Sequence, residues 1–247
     1  MTIAARAVLP TATGLFTHPD APDFRALRAS VDRALTSLPA VDSFILLAAG
    51  DEALLHDASA VTLVAGDQPK VRAELHHDEQ LLAALSPRGQ FPRVRDDFLA
   101  GPLAVLALLV NAVQPEATTM PVTVPRAAGT DALAAFAAGI VGAVQATGRT
   151  VAIVAAGELA LQLDDEQLAG PREHPVGFDA AVVAALETGD AAAMADLGPG
   201  RAGDEGAVGW APLAVLLAAA SGPGPFGKVD YLRVARVGRA VACDLDA

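Results

Sequence analysis

The chain has little of what most sites are built from. A single cysteine, Cys243, occurs in 247 residues, so neither an intrachain disulfide nor a cysteine metal cluster can form. Aromatic residues make up 4% of the chain, with one Trp and one Tyr. That argues against an aromatic-lined ligand cage and for close helix–sheet packing through Ala, Val and Leu. Lysine contributes only Lys70 and Lys228 to the 17 cationic residues, against 29 acidic ones and a net charge of −12. No basic cluster forms, which excludes a nucleic-acid surface and, on the same ground, docking on an anionic membrane. The longest apolar runs, residues 102–113 and 211–220, fall short of the roughly 20 residues that span a bilayer. The opening MTIAARAVLP has no long apolar core, unlike a secretory signal. A soluble, cytoplasmic protein is expected. A Walker A loop, a G-x-G-x-x-G fingerprint and a G-x-S-x-G elbow are all missing. GPGPFG at 222–227 reads as a turn, because it follows a helix and its prolines remove amide donors.

What is present is an alternation of short apolar runs with amphipathic stretches. Strands are expected at 4–9, 43–49, 61–65, 121–125 and 150–156. Helices are expected at 23–38, 103–113, 131–145, 178–186, 191–197 and 208–220. Asp23 is placed near the N-cap of the first helix and Asp190 at the N-cap of the helix from Ala191. Residues 66–97 are the least regular stretch. The tail, 231–237 and 239–243, alternates like a terminal hairpin turning near Val237-Gly238. Strand–helix alternation without a Pro/Gly/Ser-rich linker implies one α/β domain over 1–247. It would have three layers, a mixed or mostly parallel central sheet flanked by helices.

In such folds ligands sit at the carboxyl ends of parallel strands. Two outlets of this kind stand out. SFILLAA at 43–49 ends in Gly50-Asp51-Glu52, and TVAIVAA at 150–156 ends in Gly157 and Glu158, followed by Leu159, Ala160 and Leu161. The carboxylates could hold a hard cation or form an acid–base pair; equally, Gly50-Asp51-Glu52 suits an ordinary turn. The histidines, His18, His56, His76, His77 and His174, form no H-x-H, H-x-x-x-H or H-E-x-x-H pattern. His18, His56 and Glu205 could be assembled into a two-histidine, one-carboxylate facial triad for ferrous iron. Asp179 is a further C-terminal carboxylate, and Trp210 is read as a packing residue.

The order of these segments resembles the class III extradiol dioxygenase superfamily, the LigB-like and Memo-like group, and within it the uncharacterised actinobacterial members. Five segments carry the resemblance: AGPLAVLALL at 100–109, MPVTVP at 120–125, VAIVAAGELALQL at 151–163, FDAAVVAALETGDAAAMADL at 178–197 and GDEGAVGWAPLAVLLAA at 203–219. The resemblance implies a LigB-like fold and, in active relatives, ring cleavage of catechols by ferrous iron held by two histidines and a glutamate. A further histidine acts as acid–base, and dimers are common.

Carried over residue by residue, those roles fall on other side chains here. The first-strand ligand histidine falls at Thr11 of LPTAT, with His18 seven residues later. The second falls at or near Glu52. The acid–base histidine of the shelf falls at Leu161, the glutamate falls near Val208 with Glu205 one turn away, and a pocket histidine is replaced by Ala100 before Gly101. Thr, Leu and Val cannot stand in for imidazole. The expectation is therefore a non-catalytic family member, with no cofactor, pocket positions at Thr11, Glu52, Gly157, Glu158 and Leu161, and a homodimer or partner-subunit role compatible with the family. One alternative is an active enzyme with a relocated Fe(II) site drawn from His18, Glu52, His56 or Glu205. Another is a binder of a small aromatic or other small molecule, which would keep an Ala/Leu-lined cavity near Gly50 and Gly157.

Overall fold

The computed structural model describes residues 2–65, 68–88, 91–161, 175, 177–219, 224–234 and 236–244. The chain order is β1 (Thr2–Leu9), α1 (Gly14–Thr17), α2 (Pro22–Ser37), β2 (Ser43–Gly50), β3 (Leu54–Ala58), β4 (Ala60–Ala65), β5 (Gln68–Glu74), α3 (Glu79–Arg88) and β6 (Arg93–Asp96). Then follow α4 (Gly101–Val113), β7 (Thr118–Pro125), α5 (Thr130–Thr147), β8 (Thr150–Ala156), α6 (Gly177–Thr188), α7 (Ala191–Asp204), α8 (Trp210–Ala218), β9 (Asp230–Val234) and β10 (Val237–Cys243).

Eight strands form one sheet in the order β6-β3-β7-β2-β8-β1-β10-β9, and β4 and β5 form a separate hairpin. The middle four, β7, β2, β8 and β1, are parallel. β3 and β10 run antiparallel to their inner neighbours. The molecule is therefore α/β with a mixed central sheet. The chain lays down β1, β2 and β7 before α5 returns β8 into the slot between β1 and β2. That brings the carboxyl ends of four strands, and the loops after them, to one edge.

The sheet is covered on both faces, so its inner strands read as continuous apolar runs. Period-two alternation still sorts their side chains. Ile45 and Leu47 of β2, with Val151, Ile153 and Ala155 of β8, face α3 and α5 to α8. Phe44, Leu46 and Ala48, with Ala152, Val154 and Ala156, face α1, α2, α4 and the β4–β5 hairpin. The small alanines let α4 and α8 approach the sheet closely. α5 is long and apolar enough to cross a membrane by composition alone; Leu133, Phe136, Ala137, Ile140, Ala143 and Val144 bury one of its sides in the core.

Several expectations need correction. Residues 66–97 hold β5, α3 and β6 instead of irregular chain; strands four to seven residues long with charged alternation carry a weak periodic signal. β3 went unread because His56 and Asp57 break its apolar pattern. β4 lies outside the central sheet. Ala21 is the N-cap of α2, Pro22 following at the first turn and Asp23 after it. The terminal hairpin turns two residues earlier than expected, with Arg236 at φ 66°. Asp190 is the expected cap, its Oδ1 accepting from the Ala193 amide at 2.9 Å. α7 runs seven residues past its expected end, to Asp204, kinked at Gly198. His174 and the stretch 162–174 lie outside the described residues.

Candidate functional site

At the carboxyl edge of the parallel strands lies a cavity of about 210 Å³. Each parallel strand delivers a wall: β1 through Thr11, β2 through Ala49, β7 through Arg126, and β8 through Ala156 and Glu158. Pro102 at the start of α4 and Val208 just before α8 close it. Glu158 is 8% exposed. Its Oε1 accepts from the Thr11 amide, and Arg239 of β10 stands behind it with Nε 3.8 Å from Oε1. Its Oε2 is buried and, among the described residues, has no hydrogen-bond partner. Burial pushes the Glu158 carboxyl above the usual carboxylate range, while the Thr11 bonds and the Arg239 charge pull the other way. Burial likewise lowers Arg239 from its ordinary value, against the pull of Glu158. Desolvation thus outweighs mutual attraction at both ends of the pair.

The backbone around Glu158 is sewn in on three sides. The Gly157 amide donates to Leu9 O, the Gly209 amide to Glu158 O at 2.7 Å, and the Leu159 amide to Gly238 O at 2.8 Å. Two of these glycines are required by close approach: a Cβ on Gly157 would collide with the Ala240 carbonyl and one on Gly209 with the Glu158 carbonyl. Asp179, 1% exposed, ties the same segment to α6 and β9. Its Oδ1 accepts from the Ala160 amide at 3.0 Å and its Oδ2 from the Tyr231 hydroxyl at 2.8 Å. Burial raises the Asp179 carboxyl despite those bonds, and burial with the Asp179 charge raises the Tyr231 phenol. Asp179 is a structural clamp. Trp210 packs as read, 1% exposed, its Nε1 donating to Met194 O.

Thr11, Glu158 and Val208 meet in the cavity, and Gly157 follows β8 between the wall residues Ala156 and Glu158. Glu52 does not join them. It is exposed beyond β2, its carbonyl accepting from the Thr123 hydroxyl. Asp51 reaches Arg126 at 3.1 Å on the outer surface. Leu161 is 43% exposed; its amide donates to Glu205 O and its side chain lies against Gly206. Glu205 ends α7. His18 is exposed at the end of α1, its Nδ1 2.8 Å from the Thr17 hydroxyl. His56 lies on β3, Nδ1 2.8 Å from Asp96 Oδ2. His77 is a clamp, its ring nitrogens on Thr119 O and Ala58 O. Sequence reasoning missed Arg126 and Arg239. Arg126 follows a proline-ended strand that did not stand out as an outlet, and Arg239 reaches Glu158 only because β10 pairs beside β1.

No protein-family profile matches the chain, and no curated protein matches it. Among solved structures it is similar to the crystal structure of an uncharacterised protein from Escherichia coli K12. The TM-score is 0.64 at 12% identity, over 97% of this chain and 99% of that one. Likeness at that identity carries the three-layer α/β fold and nothing of function.

Ferrous iron in a two-histidine, one-glutamate site does not fit this donor set. Thr11 and Val208 bring neither imidazole nor carboxylate, and Glu158 is already bonded to Thr11 and backed by Arg239. Among the described residues, no group of three His, Cys, Asp or Glu side chains is placed to hold a metal ion. The cavity instead combines one buried carboxyl, with an oxygen unbonded among the described residues, an apolar middle and, at its mouth, the Arg126 guanidinium that Asp51 pairs.

Proposed function

We propose that the chain is a non-catalytic relative of the class III extradiol dioxygenases that binds a small molecule in the Glu158 cavity without iron. One observation carries this reading: Thr11, at one iron-ligand position by resemblance, and Val208, near another, line one cavity whose buried ionisable group is a carboxyl. An Ala-walled hollow between Gly50 and Gly157 is what a ligand-binding relative would retain. The ligand is a small acid carrying a hydroxyl. Its hydroxyl meets Glu158 Oε2, whose bonding capacity is unfilled. Its body lies on Ala49, Ala156 and Val208, and its carboxylate shares the Arg126 guanidinium with Asp51.

The test is titration of the purified protein with 4-hydroxybenzoate and, separately and anaerobically, with ferrous iron. Binding of 4-hydroxybenzoate in a one-to-one complex, lost when Val208→Phe fills the hollow, supports the reading. Stoichiometric ferrous iron uptake, or no binding of 4-hydroxybenzoate, overturns it.

A further inference from the structure

A second cavity, of about 250 Å³, adjoins the first and shares Ala49 and Pro102 with it. Its walls are apolar, from Ala48, Phe98, Leu99 and Leu103, and its polar feature is His56 paired with Asp96. Thr123 also reaches it, but the Thr123 hydroxyl is occupied, donating to Glu52 O and accepting from the Leu54 amide.

The pairing of strands sets this arrangement. β3 pairs with β7 only through Leu54 and Leu55. The next position on β7 is Pro121, which has no N–H to give. On its other edge β3 joins β6, from Leu55 to Ala58. His56 and Asp96 thus sit on neighbouring parallel strands, two register positions apart, and both line the cavity.

An ionised Asp96 can only accept, so the 2.8 Å contact places a proton on His56 Nδ1, and a neutral ring then carries its lone pair on Nε2. Nε2 is buried and, among the described residues, has no hydrogen-bond partner. A buried acceptor without a partner is costly, and a group bound in this cavity that brings an O–H or N–H removes that cost.

We infer that this cavity is a binding subsite for the hydroxyl-bearing end of a small, otherwise apolar molecule, with His56 Nε2 as the acceptor and Asp96 as the residue that holds its tautomer. The subsite stands on the His56–Asp96 geometry and does not depend on what the Glu158 cavity binds. Phe98, 53% exposed, supplies apolar surface at the mouth that needs covering.

Cyclohexanol and cyclohexanone separate this from generic apolar binding, because they match in size and only the alcohol donates. Nitrogen-15 NMR of the histidine rings in the wild-type protein reads both tautomer and contact. The expected result is an Nδ1-protonated His56 in the free protein and a shift of its Nε2 resonance on adding cyclohexanol. Cyclohexanol should bind about fivefold more tightly than cyclohexanone, a preference lost in His56→Phe. An Nε2-protonated ring in the free protein, equal binding of the two probes, or no binding of cyclohexanol overturns the inference. The wild-type spectra decide the matter even where the variant fails to fold.

Discussion

The carboxyl ends of β2 and β8 are alike in sequence and opposite in outcome. Each strand is buried, each ends in glycine, and each then presents a carboxylate. After β2 the chain emerges into solvent, Asp51 and Glu52 are exposed, and a Cβ on Gly50 would meet the Thr123 side chain. After β8 the chain is overlaid by β10 and by the start of α8, Glu158 is buried, and Gly157 is pressed on the Ala240 carbonyl. A strand end offers a ligand position by topology, but the elements that later cover it decide whether a carboxylate there becomes a desolvated group or an ordinary surface charge.

The largest test of this contrast is the glycine pair. Gly157→Ala forces a methyl into backbone and should cost about 3 kcal/mol, read as a fall in urea midpoint. Gly50→Ala meets Thr123 Cβ at 2.9 Å, a less severe approach than that of Gly157 to the Ala240 carbonyl, and should cost less, about 1 kcal/mol. Equal losses would show that the cover over β8 is looser than described. Next come the carboxylates. Glu158→Ala strips the Thr11 amide of its acceptor and leaves Arg239 buried without a counter-charge, for a loss of about 2–3 kcal/mol. Glu52→Ala should leave the denaturation curve unchanged within scatter, and a comparable loss there would erase the contrast.

The smallest effect is in pH. Burial holds the folded-state Glu158 carboxyl above its unfolded value, which is about 4.3. Its favourable contribution is therefore complete below that value and is lost as pH rises through the folded-state pKa. Denaturation of wild type and Glu158→Gln at about pH 5 and about pH 8 should show the variant gaining relative to wild type at the higher pH. A difference independent of pH would mean the carboxyl titrates as if in water.

Much of the fold was legible because buried parallel strands and amphipathic helices leave strong periodic marks. β8 matched its expected range, and the helix at Ala191 began where Asp190 said it would. β3, β5 and β6 were not legible. They are short, edge-positioned and interrupted by charge, and their existence depends on partners far along the chain. The candidate site was half legible. Glu158, Thr11 and the Val208 neighbourhood followed from strand ends and resemblance. Arg239 did not, because no local spacing links it to Glu158 across 81 positions.

By itself, the amino-acid sequence determined the layer architecture, the apolar faces of the strands and the want of imidazole at Thr11, Leu161 and Val208, because these are properties of residue type and short-range period. Tertiary structure alone decided which carboxylate is buried, that Arg239 backs it, and that His56 meets Asp96 beside a cavity. Those outcomes depend on which distant strand lies alongside, and burial exists only once the covering element is in place.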